Sequence, residues 1–231
     1  MRKRISLKTR RPGLTIAEFR THYEERHVPL GLSHIDHFRW RRYVRNYVVD
    51  RFGARVAFDG YTEFWDDEDG DDALNAFLAS PDFERLDRDD RRFLSVDRRF
   101  SAVVAEEVLV ESAGYDLAAL KYAFLWRDGD PRAVGAFAAR LVAALGDQLV
   151  EATLDRSMEQ TLSNAPFTCL LSLRVTPETR LLENGRAVPG EGTALIRLDP
   201  VETPPSLLYR GRETRANSPQ PGGRKYAASE S

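Results

Sequence analysis

The order in which apolar periodicity switches between two residues and about 3.6 constrains this chain more than any other feature. Residues 3–10, "KRISLKTR", set Ile5 and Leu7 between charged neighbours, the pattern of a half-buried strand, and "RPG" breaks it. Thr15 with Glu18 three residues on forms a capping box. Ile16, Phe19, Tyr23 and His27 recur at helical spacing, which predicts a helix over about 15–28, ended by Pro29. "WRRYVRNYVV" (40–49) and "FDGYTEFW" (58–65) are aromatic and β-branched, and a turn around Gly53 makes them a hairpin. Residues 73–94 predict a helix broken at Pro81, and "FSAVVAEEVLV" (100–110) a closing strand.

The second half repeats the pattern less completely. "LAALKYAFLWRDGDP" predicts a strand and turn, "PRAVGAFAARLVAAL" a helix, and "DQLVEATL", "FTCLLSLRV" and "TALIRLDPV" three strands. Between Val175 and Thr193 the second helix is hard to find, and a loop is expected. The order β-α-β-β-α-β, met twice, implies an α+β chain of tandem ferredoxin-like units, the second degenerate. The expected divisions are 1–111, 112–211 and a mobile tail, 212–231, which lacks core-forming residues.

With 42% hydrophobic residues, the 231-residue chain can bury a good core. No apolar run follows the basic start, so no signal peptide is expected. The longest apolar stretch (133–145) is interrupted by Arg140 and too short for a bilayer. These features predict a cytoplasmic protein without membrane contact. A net charge of −2 favours neither nucleic acid nor anionic lipid. The single cysteine, Cys169, excludes an internal disulfide and sits in an apolar run as a small hydrophobe.

All four histidines lie within "HYEERHVPLGLSHIDH" (22–37). On an ideal helix His27 falls inside the apolar stripe and His22 at its border. His27 therefore reads either as a buried histidine bonded to a carbonyl near the helix end, or as a general acid or base at a pocket rim. A metal site is disfavoured, because five residues put His22 and His27 roughly 140° apart, whereas same-face ligands need spacings of three or four. His34 and His37 are spaced to share a face. "DDEDGDD" (66–72) fails the calcium-loop pattern, and the arginines of "RWRRYVR" (39–45) read as strand residues facing solvent or a second subunit. No phosphate loop, Gly-x-Ser-x-Gly or dinucleotide fingerprint is present, so no cofactor is expected.

"RRPGLTIAEFRTHYEERHVPL", with "RYVRNYV", "FDGYTEFW", "FLASPDFERLDRDDRRF" and "AEEVLV", resembles the EthD family of the dimeric α+β barrel superfamily over about residues 1–110. Its most specific parts are His27-Val28-Pro29, Asp59-Gly60 and Glu63-Phe64-Trp65. The resemblance implies two sheets packed as a barrel, with pockets between each sheet and its helices. Here the second half would supply the other sheet, making a pseudo-dimer in one chain. A homodimer through other surfaces stays open. The resemblance also implies cofactor-free dehydration, decarboxylation, cyclisation or isomerisation of small hydrophobic, oxygenated, polyketide-like compounds of secondary metabolism. His27 would move the proton, with His37 as shuttle, Glu63 orienting His27, and Asn46 or Tyr47 bonding a developing enolate. Trp65 and His22 would contact substrate. The alternatives are a cofactor-free monooxygenase of activated phenols, a heme-binding member of the superfamily, and a non-catalytic protein that binds a small ligand or stabilises a partner.

Overall fold

The computed structural model describes residues 1–67, 71–98, 100–111, 118–158, 167–179, 181 and 192–208. The first half supplies strands β1 (Arg2–Lys8), β2 (Trp40–Gly53), β3 (Gly60–Asp66) and β4 (Phe100–Val110). The second supplies β5 (Leu120–Trp126), β6 (Leu149–Ser157), β7 (Cys169–Val175) and β8 (Thr193–Glu202). They close into one antiparallel barrel in the order β1-β3-β2-β8-β5-β7-β6-β4. Within each half the first strand lies between the fourth and the third, so both sheets have the ferredoxin-like order. The two seams are the pairs β2 with β8 and β4 with β6. The barrel is therefore a pseudo-dimer made by one chain.

Because neighbouring residues on a strand point to opposite faces, one sequence builds three apolar layers. Ile5, Leu7, Val48, Tyr61, Ala123 and Ile196 fill the barrel. Outside the first sheet, Phe19, Tyr23, Tyr43, Tyr47 and Phe93 pack under its helices. Outside the second, Phe124, Leu154, Leu171 and Leu173 pack under α6 (Pro131–Leu145) through Val134 and Ala138. Every residue of β7 is buried, which explains why apolar residues occupy both faces along most of the strand. Gly60 is required by a close approach: a Cβ there would lie 2.7 Å from the Asn46 carbonyl oxygen on the paired strand.

Helix α1 (Ile16–His22) starts as the sequence predicts, with Thr15 Oγ1 accepting from the Glu18 amide and the Thr15 amide donating to Glu18 Oε2 at 2.8 Å. Ile16 at its first turn stays exposed, while Phe19, Tyr23 and His27 are buried. The chain does not remain α-helical to His27. Residues Tyr23–His27 form a π-turn, and the Val28 amide bonds to the Tyr23 carbonyl. Nor does Pro29 end the helical path, which continues through α2 (Val28–Leu32) with Pro29 in its first turn. The missing proline N–H falls where a new helix starts, and the wider turn before it relieves the clash that a proline ring makes with the carbonyl four residues back. A short α3 (Ile35–Phe38) leads into β2.

The expected break at Pro81 is present, separating α4 (Asp71–Leu78) from α5 (Pro81–Phe93). In the second half, residues 182–191, where the second helix was hard to find, lie outside the described residues, as does the expected tail. After β8, α7 (Pro205–Leu208) crosses back to the first half, where Leu208 joins the layer of Phe19 and Phe93. No helix among the described residues is long and apolar enough to cross a membrane.

A fragment ending at Glu111 would expose Ile5, Val48 and Tyr61 on the inner face of its sheet and leave β2 and β4 as open edges, and large exposed apolar faces drive association. Size-exclusion chromatography should show it dimeric or aggregated. A soluble monomer of native thermal stability would show that the first sheet does not need the second.

Candidate functional site

The histidine-bearing helix meets α5 through one carboxylate. His22 Nε2 and His27 Nδ1 lie 3.1 Å from Asp89 Oδ1 and Oδ2 respectively. The π-turn makes this possible: its wider turn brings two residues five apart to the same partner, correcting the 140° separation of an ideal helix. His27 Nε2 lies 3.5 Å from Asp90 Oδ1. The rings of Tyr23 and Phe93 wall His27 at centroid distances of 5.2 and 5.0 Å, and His22 stacks on Phe93 at 4.8 Å. Burial opposes the Asp89 charge, but the hydrogen bonds from His27 and His22 outweigh it and hold the carboxyl below its ordinary value.

Beside the clamp, Glu24 Oε1 accepts from the Tyr47 hydroxyl at 2.5 Å and from Arg45 Nε at 2.8 Å. Arg45 Nη1 donates to Thr203 Oγ1 at 2.6 Å, tying the helix layer to the segment after β8. Burial, then Glu24, pushes the Tyr47 phenol far above its usual value and keeps it a neutral donor.

Glu63 is not near the histidines. Its neighbour Thr62 faces the helices, where Thr62 Oγ1 lies 2.7 Å from the Tyr23 hydroxyl, so Glu63 points into the barrel. There its carboxylate receives Lys121 Nζ at 2.6 Å, Asn46 Nδ2 at 2.8 Å and Lys3 Nζ at 3.0 Å. Lys3 also meets Glu106 at 2.9 Å and Asp155 at 2.8 Å. Trp65 Nε1 donates to Glu106 at 2.9 Å, and its ring lies under Lys3 and Arg42. Burial works against the Glu63 carboxylate, but Lys121 and Lys3 hold its pKa far below the usual range. Asp155 goes the other way: burial, reinforced by Glu63 and Glu106 against Lys3, raises it to about 6. The cavity lined by Lys3, Glu63, Trp65 and Lys121 has a volume of about 10 Å³, room for one water.

The sequence-predicted residues thus separate into three places. His22, His27 and Tyr47 share the helix layer; Glu63, Asn46 and Trp65 share the barrel interior; His37 lies with His34 against the Phe77 ring. Strand parity, left open by the sequence, sends Asn46 inward and Tyr47 outward. Asp89, not Glu63, orients His27. Sequence reasoning missed Asp89, although it falls on the α5 stripe with Leu86 and Phe93, where an acid among apolar residues is itself a signal. Among the described residues, no group of three or more His, Cys, Asp or Glu side chains is placed to hold a metal ion.

A closed antiparallel barrel made from two ferredoxin-like sheets, with a histidine pair in one helix layer, defines the α+β barrel class. Residues 11–97 match the family model of the EthD domain. No curated protein matches the sequence. Among solved structures, similarity extends to a Fusobacterium nucleatum protein provisionally assigned as a monooxygenase (8% identity, 86% of this chain and 91% of that one, TM-score 0.49). A Lactobacillus acidophilus protein with the same provisional assignment shares 7% identity over 87% of this chain and 95% of its own, with a TM-score of 0.41. A protein provisionally assigned as a chlorite dismutase shares 11% identity over 86% and 95%, with a TM-score of 0.46. Likeness at this level carries no chemistry across.

The interior charges set a pH dependence. A carboxyl whose value rises on folding, as Asp155 does, contributes stability that is present below its ordinary value of 3.8 and lost as pH rises through about 6. Glu63 and Asp89, both lowered on folding, contribute above their ordinary values, so their losses fall at lower pH. Between pH 4 and 6, Asp155→Asn should therefore flatten a wild-type decline in melting temperature. A variant whose profile parallels the wild type across that window would show that Asp155 does not hold the proton.

Proposed function

We propose that the protein is a cofactor-independent lyase or isomerase that moves a proton on a small, largely apolar, oxygenated substrate through His27. One observation carries this reading: the Asp89 carboxylate reaches Nδ1 of His27 and Nε2 of His22 at 3.1 Å each. A carboxylate on Nδ1 fixes the ring's orientation and tautomer and leaves Nε2 for proton transfer. Asp90, 3.5 Å from Nε2, is placed to relay that proton. The Tyr23 and Phe93 rings give the imidazole an apolar setting suited to an aromatic or alicyclic substrate. Tyr47, on the histidine side of the sheet, is the candidate to bond a developing enolate by exchanging its Glu24 acceptor for the substrate oxygen, whereas Asn46 is committed to Glu63 inside the barrel.

A thermal-shift screen of oxygenated aromatic, polyketide-like compounds would supply the substrate. With it, His27→Gln should lower kcat by about 100-fold or more while the chain stays folded, a loss typical of a missing acid or base. Asp89→Asn should lower it less and displace the pH–rate profile. Turnover unchanged in His27→Gln would remove His27 from the chemistry. Dioxygen consumed in step with product would replace this reading with the monooxygenase one. A ligand that leaves the His27 ring resonances unmoved would favour a purely structural histidine.

A further inference from the structure

The two ends of the barrel interior are built differently. At the end where β1 begins, charged groups from several strands interlock around Lys3, Glu63 and Lys121 and leave only about 10 Å³. At the end where β1 finishes, a cleft of about 980 Å³ opens instead. Its floor is Leu7, Phe58, Leu125 and Ala194, which belong to the apolar core of the barrel, and half-buried Val56 and Phe100 wall it. The volume is at the upper end of what a small-molecule pocket encloses. The floor residues keep only their edges open, and the half-buried walls, Val56 and Phe100, carry most of the apolar surface that binding would remove from water.

The rim supplies charge. Arg55, Arg98 and Arg127 line the cleft and are exposed, against two acids, Asp97 and Asp128. None of the three arginines forms an ion pair with another of the described residues. Three cations against two anions leave one positive charge, which matches a monoanion. Guanidinium groups hold a planar carboxylate through paired hydrogen bonds. We infer that this mouth of the barrel is a binding site for an apolar monocarboxylate, its hydrocarbon body on the barrel floor and its head at the arginine rim. The site is separate from the histidine layer and does not depend on the function proposed above.

Calorimetric titration of the full chain with decanoate, below its micelle-forming concentration, tests the inference. One saturable site is expected. Octanoate, two methylenes shorter, should bind roughly 15-fold more weakly, about fourfold per methylene. Decan-1-ol, which has the body without the charge, should bind about tenfold more weakly than decanoate. Arg98→Glu and Arg127→Glu, surface changes that leave the core intact, should each weaken decanoate about fivefold or more. Val56→Trp should block the cleft, with circular dichroism confirming that the variant is folded. His27→Gln should bind decanoate as the wild type does, so a failure of the catalytic reading leaves this result unaffected. Absence of saturable binding overturns the inference. So do equal affinities for decanoate and decan-1-ol, indifference to the arginine changes, or loss of binding in His27→Gln.

Discussion

Lys3 is the contact on which the barrel depends. It stands on β1 and reaches Glu63 on β3, Glu106 on β4 and Asp155 on β6, while Lys121 on β5 meets the same Glu63. Five strands from both halves thus converge on one buried set of charges. An ion pair taken out of water gains little net stability, but removing one partner leaves an unmatched charge at a cost of about 3–5 kcal/mol. The cluster therefore acts as a register pin. A slip of one residue along β1 would turn Lys3 out of the barrel and leave three carboxylates facing one another. Apolar residues elsewhere in the interior supply most of the burial, yet they tolerate exchange among themselves in a way the charges do not.

That pin also fixes what each face of the first sheet carries. Glu63, Asn46 and Trp65 look from their types like site residues, and each is committed to holding the barrel shut. On the other face of the same strands, Thr62 and Tyr47 support a helix layer whose polar groups come from helices as well as strands. The sheet is a partition, with electrostatic closure on one side and the imidazoles on the other.

Most of the architecture was legible because its signals are local. The alternation of Ile5 with Leu7, the Thr15–Glu18 box and the break at Pro81 each fix an element without help from distant residues, and their order then fixes the sheet topology. The candidate site was legible only in part. His27 on an apolar stripe points inward, as its spacing predicts, but the expected partner Glu63 stands on β3, whereas the carboxylate that His27 meets, Asp89, stands on α5. Whether Glu63 faces the histidines is a question of strand parity, which needs one anchored contact to settle, and Thr62 against Tyr23 is that contact. Likewise, nothing in the residue types of 23–27 announces a π-turn.

That turn is what makes two histidines into one clamp. On an α-helix, positions 22 and 27 diverge, and a carboxylate fixed on α5 would reach only one of them. Widening a single turn, which costs some helical regularity, brings both imidazoles to Asp89 and restarts the helix where Pro29 contributes no amide. The same irregularity sets Tyr23 with its hydroxyl on Thr62 and its ring against His27. Backbone departure, proline position and histidine spacing are thus one local solution, because a regular helix through residues 16–32 would satisfy the proline or the clamp less well than this interrupted one does both.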